Sequence, residues 1–474
     1  MRRSPWATLT VLALAQFIVV LDVTIVNVAL PHIQADLHFS ADSLQWVINA
    51  YTLLFGGFLL LGGRMADLLG PRRVFTAGLL LFGVTSLIAG LSNSPEFLIA
   101  ARAVQGLGGA LLSPAALAIL TMTFAHGRER NIAMGVWGGL AGLGGTLGVV
   151  AGGVLVDSLS WQWVFFVNVP IVLALVALIP VFVRDVRHAT GRRTFDTLGA
   201  VLGTGGLLSV VYGVVRSQPA GWGSFEVVGV LTAGVLMLAA FVVVESRSAA
   251  PLVPLRLFRS RALSVSSATL ALNGAGFLSM FFLTAIYLQQ VRGDSALDAG
   301  IHFLPMGGAA IVGAVLASQL VQRVGTRTVQ LAGAVLSVVG LLLLSQADAA
   351  GSYSSQLLPG LIIFGFGIIG VGVPGQISAV SEVRPAEAGA ASGVVNAMYQ
   401  VGGALGLAIV TTLSITHTTN ELTHGATQLE ALQSGYERGL LAAAAFAVAN
   451  VFLTLAAPQL QPTSEQLTEA TAAA

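Results

Sequence analysis

Cysteine and lysine are both missing from the 474-residue chain. Without cysteine there are no disulfides, no thiolate metal sites and no cysteine nucleophile. Without lysine there is no glycine–lysine phosphate loop, which argues against ATP-driven work by this chain. Charge of either sign is scarce. Only 9% of residues are charged, where an ordinary soluble protein carries about 25%. So little charge cannot clothe a surface in water, and 55% of the residues are hydrophobic. The composition is that of an all-α integral membrane protein with several spanning segments. The seven histidines are scattered and show no metal-ligand spacing. No metal and no cofactor are expected. No nucleophile elbow or paired carboxylate suggests an enzyme. The net charge of +1 points to no partner, and nucleic acid is not expected. The exclusive use of arginine among 22 basic residues suggests a GC-rich, bacterial genome.

What is present is apolar sequence in long runs. They can be drawn at about 6–30, 43–63, 74–92, 95–122, 131–156, 163–183, 196–215, 225–245, 262–289, 297–321, 328–346, 354–379, 388–414 and 436–458. That makes about fourteen membrane helices. The opening "MRRSPWATLTVLALAQF" begins like a signal peptide. The apolar run continues to Leu30 without a clear cleavage site, so it reads as a retained first helix.

Arginine positions test the count. With a cytoplasmic N-terminus, eighteen arginines fall on the inner side. Only Arg216, Arg292 and Arg438 fall outside, and Arg102 stays within a helix. A bias of that size is the positive-inside pattern, and a missed helix would scramble it. Both termini are therefore expected in the cytoplasm of a multi-pass protein of the cell membrane.

The chain repeats weakly. "GRMADLLGPRR" (63–73) follows the second helix and "SQLVQRVGTRT" (318–328) follows the tenth. Each is a short inner loop with a central glycine, Gly70 or Gly325, and trailing arginine. Two related halves with an inserted pair account for this: a six-helix half at 1–183, two inserted helices with basic loops at 184–261, a second six-helix half at 262–458, and a polar tail at 459–474. The segment 416–435 reads as the longest outer loop.

Asp22 lies inside the first run, "VLDVTIVNVALPH". An aspartate at the bilayer centre costs about 2.5–3.5 kcal/mol, so something must support or neutralise it. Low dielectric favours the protonated acid, which makes such a group able to carry a proton. The alternative is a structural aspartate paired within the bundle. The other acids of the spans fall near helix ends.

These stretches resemble the major facilitator superfamily, and within it the fourteen-helix drug:proton antiporters. The likeness covers nearly the whole chain. "LDVTIVNVALP" is similar to the first-helix signature, whose acid takes part in proton coupling. "GRMADLLGPRR" resembles the loop between helices two and three. There Gly63, Asp67, Gly70, Arg72 and Arg73 would form a conformational latch, although Leu68 stands where the family has a basic residue. "RAVQGLGGALLSPA" (102–115) resembles the fourth-helix motif, with Arg102, Gly106, Ala110 and Pro114 on one stripe. Arg102 would face inward beside Asp22, or else snorkel to the outer surface.

"GLAGLGGTLGVVAGG" (139–153) is similar to the antiporter motif of the fifth helix. Gly144, Gly148, Gly152 and Gly153 suit close helix packing, and Val149 replaces the family's proline. "WQWVFFVNVPI" (161–171), "YLQQVRGDSALDAGIHFLP" (287–305) and "AGAASGVVNAMYQVGGALG" (388–406) also fit this group.

The resemblance implies a major facilitator fold of two six-helix halves plus two extra helices. It implies a proton-coupled antiporter exporting lipophilic drugs or secondary metabolites by rocker-switch alternating access. Protons are the coupling ion, membrane lipids the surroundings, and a monomer the expected form. Candidate substrate contacts are Gln16, Phe17, Asn49, Tyr51, Asn273, Phe277, Phe281, Asn396, Tyr399 and Gln400, each of which could equally serve helix packing. A single deep acid favours neutral or monovalent substrates. A lipid or lipid-like metabolite flippase without tight proton coupling is the alternative, and a non-transporting sensor or scaffold a distant third.

Overall fold

The computed structural model describes residues 4–124, 129, 133, 136, 147–183, 197–248, 251–253, 255–349, 351–383 and 388–458. Twelve helices among them are long and apolar enough to span a membrane, and two shorter apolar helices accompany these. The fourteen coincide with the runs drawn from sequence. Gly144, most of the apolar run from 131, the arginines at 2, 3, 128, 130, 184, 187, 192, 193 and 384, and the tail from 459 lie outside the described residues.

The chain order is α1 (Pro5–Leu37), α2 (Ala41–Leu44), α3 (Trp46–Leu69), α4 (Pro71–Gly90) and α5 (Pro95–Thr123). A short helix, α6 (Leu147–Ser158), follows. Then come α7 (Trp163–Phe166), α8 (Asn168–Phe182), α9 (Thr197–Ala220) and α10 (Phe225–Arg247). A 3₁₀ turn at Leu255–Arg259 precedes α11 (Arg261–Ile286), which runs into a π-turn at Tyr287–Val291. The remainder is α12 (Ala296–Val324), α13 (Thr326–Ser345), α14 (Tyr353–Gln356), α15 (Leu358–Ser381), α16 (Ala388–Thr423) and α17 (Gln428–Leu455).

Local sequence sets the breaks. Pro5, Pro71 and Pro95 open helices at the first turn, where the missing N–H costs nothing. Gly70 ends α3 with φ 93°, and Gly325 ends α12 with φ 82°. The two weakly repeated loops therefore share one geometry: helix, left-handed glycine, helix. A side chain there would strain the backbone.

The expected outer loop at 416–435 is a correction. α16 runs on to Thr423 and α17 starts at Gln428, so the connection is only a few residues. Thr427 and Glu430 form a reciprocal capping box that starts α17 early. His417 and Glu421, one turn apart, pair at 3.7 Å along the polar end of α16. An apolar-run search stops where such helices leave the hydrocarbon, whereas the helices themselves continue.

The chain divides into two compact units. The first holds residues up to Val253 together with Ala285–Leu304; the second holds Pro254–Thr284 and everything from Pro305. In the first, α1, α3, α4, α5 and α8 enclose a core that includes Leu12, Ile18, Phe75, Phe82 and Leu120. Small residues let the backbones close in: a Cβ at Gly106 would collide with the Tyr51 carbonyl, and one at Gly78 with the α5 backbone. The 285–304 segment docks within this unit. Gln289 Nε2 donates to the Val28 carbonyl (3.1 Å), and Gln290 Nε2 donates to Gln34 Oε1 (2.8 Å).

The second unit is held by the same device. Gly333 on α13 meets Gly370 on α15, and Gly402 on α16 meets the Ala271 backbone on α11. Buried polar groups pair across its helices. Gln330 Nε2 donates to Thr269 Oγ1 (2.8 Å), and Asn450 Nδ2 donates to the Thr269 carbonyl (2.9 Å).

Candidate functional site

Asp22 sits on the middle turns of α1 with no solvent exposure, and Arg102, on the second turn of α5, is 1% exposed. The two meet: Arg102 Nη1 lies 2.5 Å from Asp22 Oδ2. Arg102 therefore faces the interior and does not snorkel outward.

Three further side chains complete the cluster. Gln105, one turn beyond Arg102, accepts from Arg102 Nη1 through Oε1 (2.7 Å) and donates through Nε2 to Asp22 Oδ1 (2.9 Å). Asn168, the first residue of α8, donates through Nδ2 to the same Oδ1 (3.2 Å). Ser86 of α4 takes the second proton of each amide, from Gln105 at 2.6 Å and from Asn168 at 3.1 Å. All three are fully buried. Asp22 thus receives only donors, the arrangement a buried carboxylate needs.

The guanidinium has support of its own. Arg102 Nε donates to the Val47 carbonyl (2.9 Å). The Tyr51 ring lies 4.4 Å from Arg102 Cζ, and the Phe165 ring 5.7 Å. Tyr51 in turn stacks on Phe55 at 5.9 Å. Acceptors and aromatic faces hold the cation in place even without the carboxylate.

The glycine stripe of α6 packs against the turn of α1 that carries Asp22. A Cβ at Gly148 would strike Thr24 Oγ1 and approach the Leu21 carbonyl to 3.0 Å. One at Gly152 would lie 2.9 Å from the Ile25 carbonyl. Gly153 closes on the 285–304 segment instead, where a Cβ would lie 2.5 Å from Leu297 Cα. Asp157, at the end of the same helix, accepts from the Leu297 amide at 2.9 Å.

The other candidates are placed as follows. Gly63 has ordinary space around it, with Pro114 Cβ 3.7 Å from an added Cβ. Arg72 is half-buried and Arg73 exposed at the start of α4. The Asp67 side chain lies outside the described residues.

Of the candidate substrate contacts, Gln16, Phe17, Asn49 and Tyr51 belong to the first unit, and the remaining six to the second. Gln16 Oε1 accepts from Ser113 (2.9 Å). Asn49 is buried with neither side-chain polar atom paired among the described residues, and Tyr51 belongs to the Arg102 cluster. Asn273 donates to the Ile368 carbonyl (3.0 Å), and Phe277 and Phe281 pack ring to ring at 5.8 Å. Asn396, Tyr399 and Gln400 are half-buried on α16.

Glu245, one of the acids of the spans, is buried at 3% close to the end of α10 and accepts from the Val253 amide (3.0 Å). Sequence reasoning did not assign Ser86, Gln105 or Asn168. Gln105 had a signal, since it stands three residues after Arg102 on the same face. Asn168 lies in a stretch recognised only as a group signature. Ser86 had none.

A family model described as Major Facilitator Superfamily matches residues 12–407. The puromycin resistance protein of Streptomyces alboniger is 41% identical over 453 residues, 95% of this chain and 90% of that protein. The cephamycin export protein of Amycolatopsis lactamdurans is 40% identical over 449 residues, 94% and 91% of the two chains. Among solved structures, a bacterial homologue of the human lysosomal transporter Spinster matches 96% of this chain and 97% of its own, with a TM-score of 0.67 and 16% identity. That last likeness concerns the fold alone.

Proposed function

The chain belongs to the major facilitator superfamily, and from that membership we propose that it is a proton-coupled antiporter exporting lipophilic drugs or secondary metabolites. The observation that carries the reading is the Asp22–Arg102 pair, buried with its donors in the core of the first unit. The names of the relatives, puromycin resistance and cephamycin export, support the substrate class.

The chemistry follows from the two charge states of Asp22. As a carboxylate it offsets the Arg102 charge, and Gln105 and Asn168 fill its remaining lone pairs. Once protonated it no longer offsets that charge. An uncompensated buried cation is costly, but Val47, Gln105 and the Tyr51 face remain to hold it. The two protonation states therefore differ in electrostatic energy without either being prohibitive. A bundle with two arrangements would be biased by that difference, and by substrate in the same way, which is what coupling requires.

In the proposed cycle a proton enters from outside and neutralises Asp22, while drug binds from the cytoplasm or inner leaflet. Rocking of two six-helix halves exchanges access, and the proton gradient and membrane potential supply the energy. The loop from Gly63 to Arg73 is assigned as the inner latch, with Asp67 as its acid. The arginine distribution supports cytoplasmic termini in the cell membrane. The carrier is taken as a monomer.

The test uses the full chain in proteoliposomes with an imposed pH gradient, and puromycin as the first probe. Puromycin-driven proton movement is expected for the parent and lost in Asp22→Asn, with binding retained. Undiminished coupling in the variant rejects Asp22 as the carrier. Leaflet-to-leaflet lipid movement without proton flux rejects drug:proton exchange and identifies a flippase.

A further inference from the structure

Of the side chains that hydrogen-bond Asp22, Asn168 alone keeps a polar atom unpaired among the described residues. Asn168 Oδ1 is buried and has no hydrogen-bond partner among the described residues. A buried amide oxygen left unpaired is costly and uncommon. The same side chain spends both N–H protons, one on Asp22 Oδ1 and one on Ser86 Oγ. Gln105 is different: its Oε1 is taken by Arg102 and its Nε2 by Asp22 and Ser86, so turning that amide over would set N–H against guanidinium. Asn168 has no such restraint. Its terminal torsion is soft and roughly two-fold, so a half turn exchanges Oδ1 for Nδ2 at nearly the same positions.

In the turned orientation Asn168 would present an acceptor to Asp22 Oδ1. Against a carboxylate this is repulsive. Against a carboxylic acid it is the missing partner, because the other groups that reach Asp22 are donors.

We propose that Asn168 is a positioning residue serving both protonation states of Asp22: its amide donates to the carboxylate and, turned over, accepts the O–H of the protonated acid. The inference rests on the reading of Asp22 as the proton carrier. The balance is simple. One proton joins Asp22 Oδ1, its O–H points to Asn168 Oδ1, and the Ser86 hydroxyl, which accepted an N–H before, can donate to the same oxygen. No electrons move. Among the described residues, the charged and titratable groups facing Asp22 from the packed helices are Arg102 on α5 and Tyr51 on α3; α4, α7 and α8 contribute Ser86, Phe165 and Asn168, and α6 contributes its glycine stripe.

Infrared difference spectra of the full chain in liposomes, between alkaline and acid pH, test this. Asn168→Leu keeps the size of the side chain and removes both polar functions. The carboxyl band that disappears in Asp22→Asn should move to higher wavenumber in Asn168→Leu, because the protonated acid loses its acceptor. A second measurement needs no substitution. With isotope-labelled asparagine, the parent protein should show one side-chain amide C=O band that moves to lower wavenumber as Asp22 takes its proton. That band should not titrate in Asp22→Asn.

An unmoved carboxyl band in folded Asn168→Leu overturns the proposal. If that variant does not fold, the absence of a titrating asparagine band in the parent overturns it. If no carboxyl band is lost in Asp22→Asn, it is the Asp22 reading itself that has failed.

Discussion

The guanidinium of Arg102 lies 4.4 Å from the centre of the Tyr51 ring, and the Tyr51 hydroxyl has no hydrogen-bond partner among the described residues. The ring face and the hydroxyl can therefore be separated by substitution. The face supports a cation buried among helices. The hydroxyl contributes no paired interaction and pays for its own desolvation.

Tyr51→Phe keeps the face and should fold and couple like the parent, with equal or slightly higher thermal stability. Tyr51→Leu removes the face, worth about 2 kcal/mol where the cation is desolvated. It should reduce puromycin-driven proton flux about tenfold or more. The two variants are compared in the same proteoliposome assay. Equal losses in both would show that the hydroxyl, not the ring face, matters.

Arg102→Leu strands a buried carboxylate, and removing one partner of such a pair costs about 3–5 kcal/mol. The variant should melt well below the parent in detergent. Asp22→Asn combined with Arg102→Leu removes both charges and should regain most of the melting temperature while remaining uncoupled. Arg102→Lys should also lose coupling, because an ammonium cannot make the Nε contact to Val47 and the planar contact to Tyr51 together. A double variant no more stable than Arg102→Leu would refute the pair as the source of the loss.

Much of this site could be read along the chain, but not its closure. Asp22 and Arg102 announce themselves because a charge amid apolar sequence is expensive wherever it points. Gly70 and Gly325 repeat visibly because only glycine relieves the left-handed turn that both loops adopt. Ser86 and Asn168 are ordinary residues in apolar runs. Their role depends on which helices are neighbours, and no period or spacing encodes that. The 416–435 segment fails for a different reason. Hydropathy reports where a helix leaves lipid, and the Thr427–Glu430 box shows that the helix itself starts earlier.

Glycine substitutions separate tight packing from mere presence in a motif. Gly148→Ala forces a Cβ onto Thr24 Oγ1 and should cost about 1–3 kcal/mol through overpacking. Thr24→Ala in the same chain removes the clashing atom and should restore part of the melting temperature. Gly63→Ala meets only Pro114 at 3.7 Å and should be thermally neutral. A loss at Gly63 as large as that at Gly148 would contradict the packing argument, because the spaces differ.

Asp157 accepts from the Leu297 amide, one of the first N–H groups of α12, which have no partner within their own helix. It therefore caps that helix from α6, at the point where Gly153 and Gly300 bring the two backbones together. A lost cap costs about 1 kcal/mol, enough to raise the open population of the first turn about fivefold. Asp157→Ala should accordingly speed hydrogen exchange at Leu297 and its neighbours by about that factor, and leave α13 and α15 unchanged. Asp157→Asn keeps an acceptor and should fall between the two. Unchanged exchange at Leu297 would mean that the carboxylate rests against the helix end without holding it.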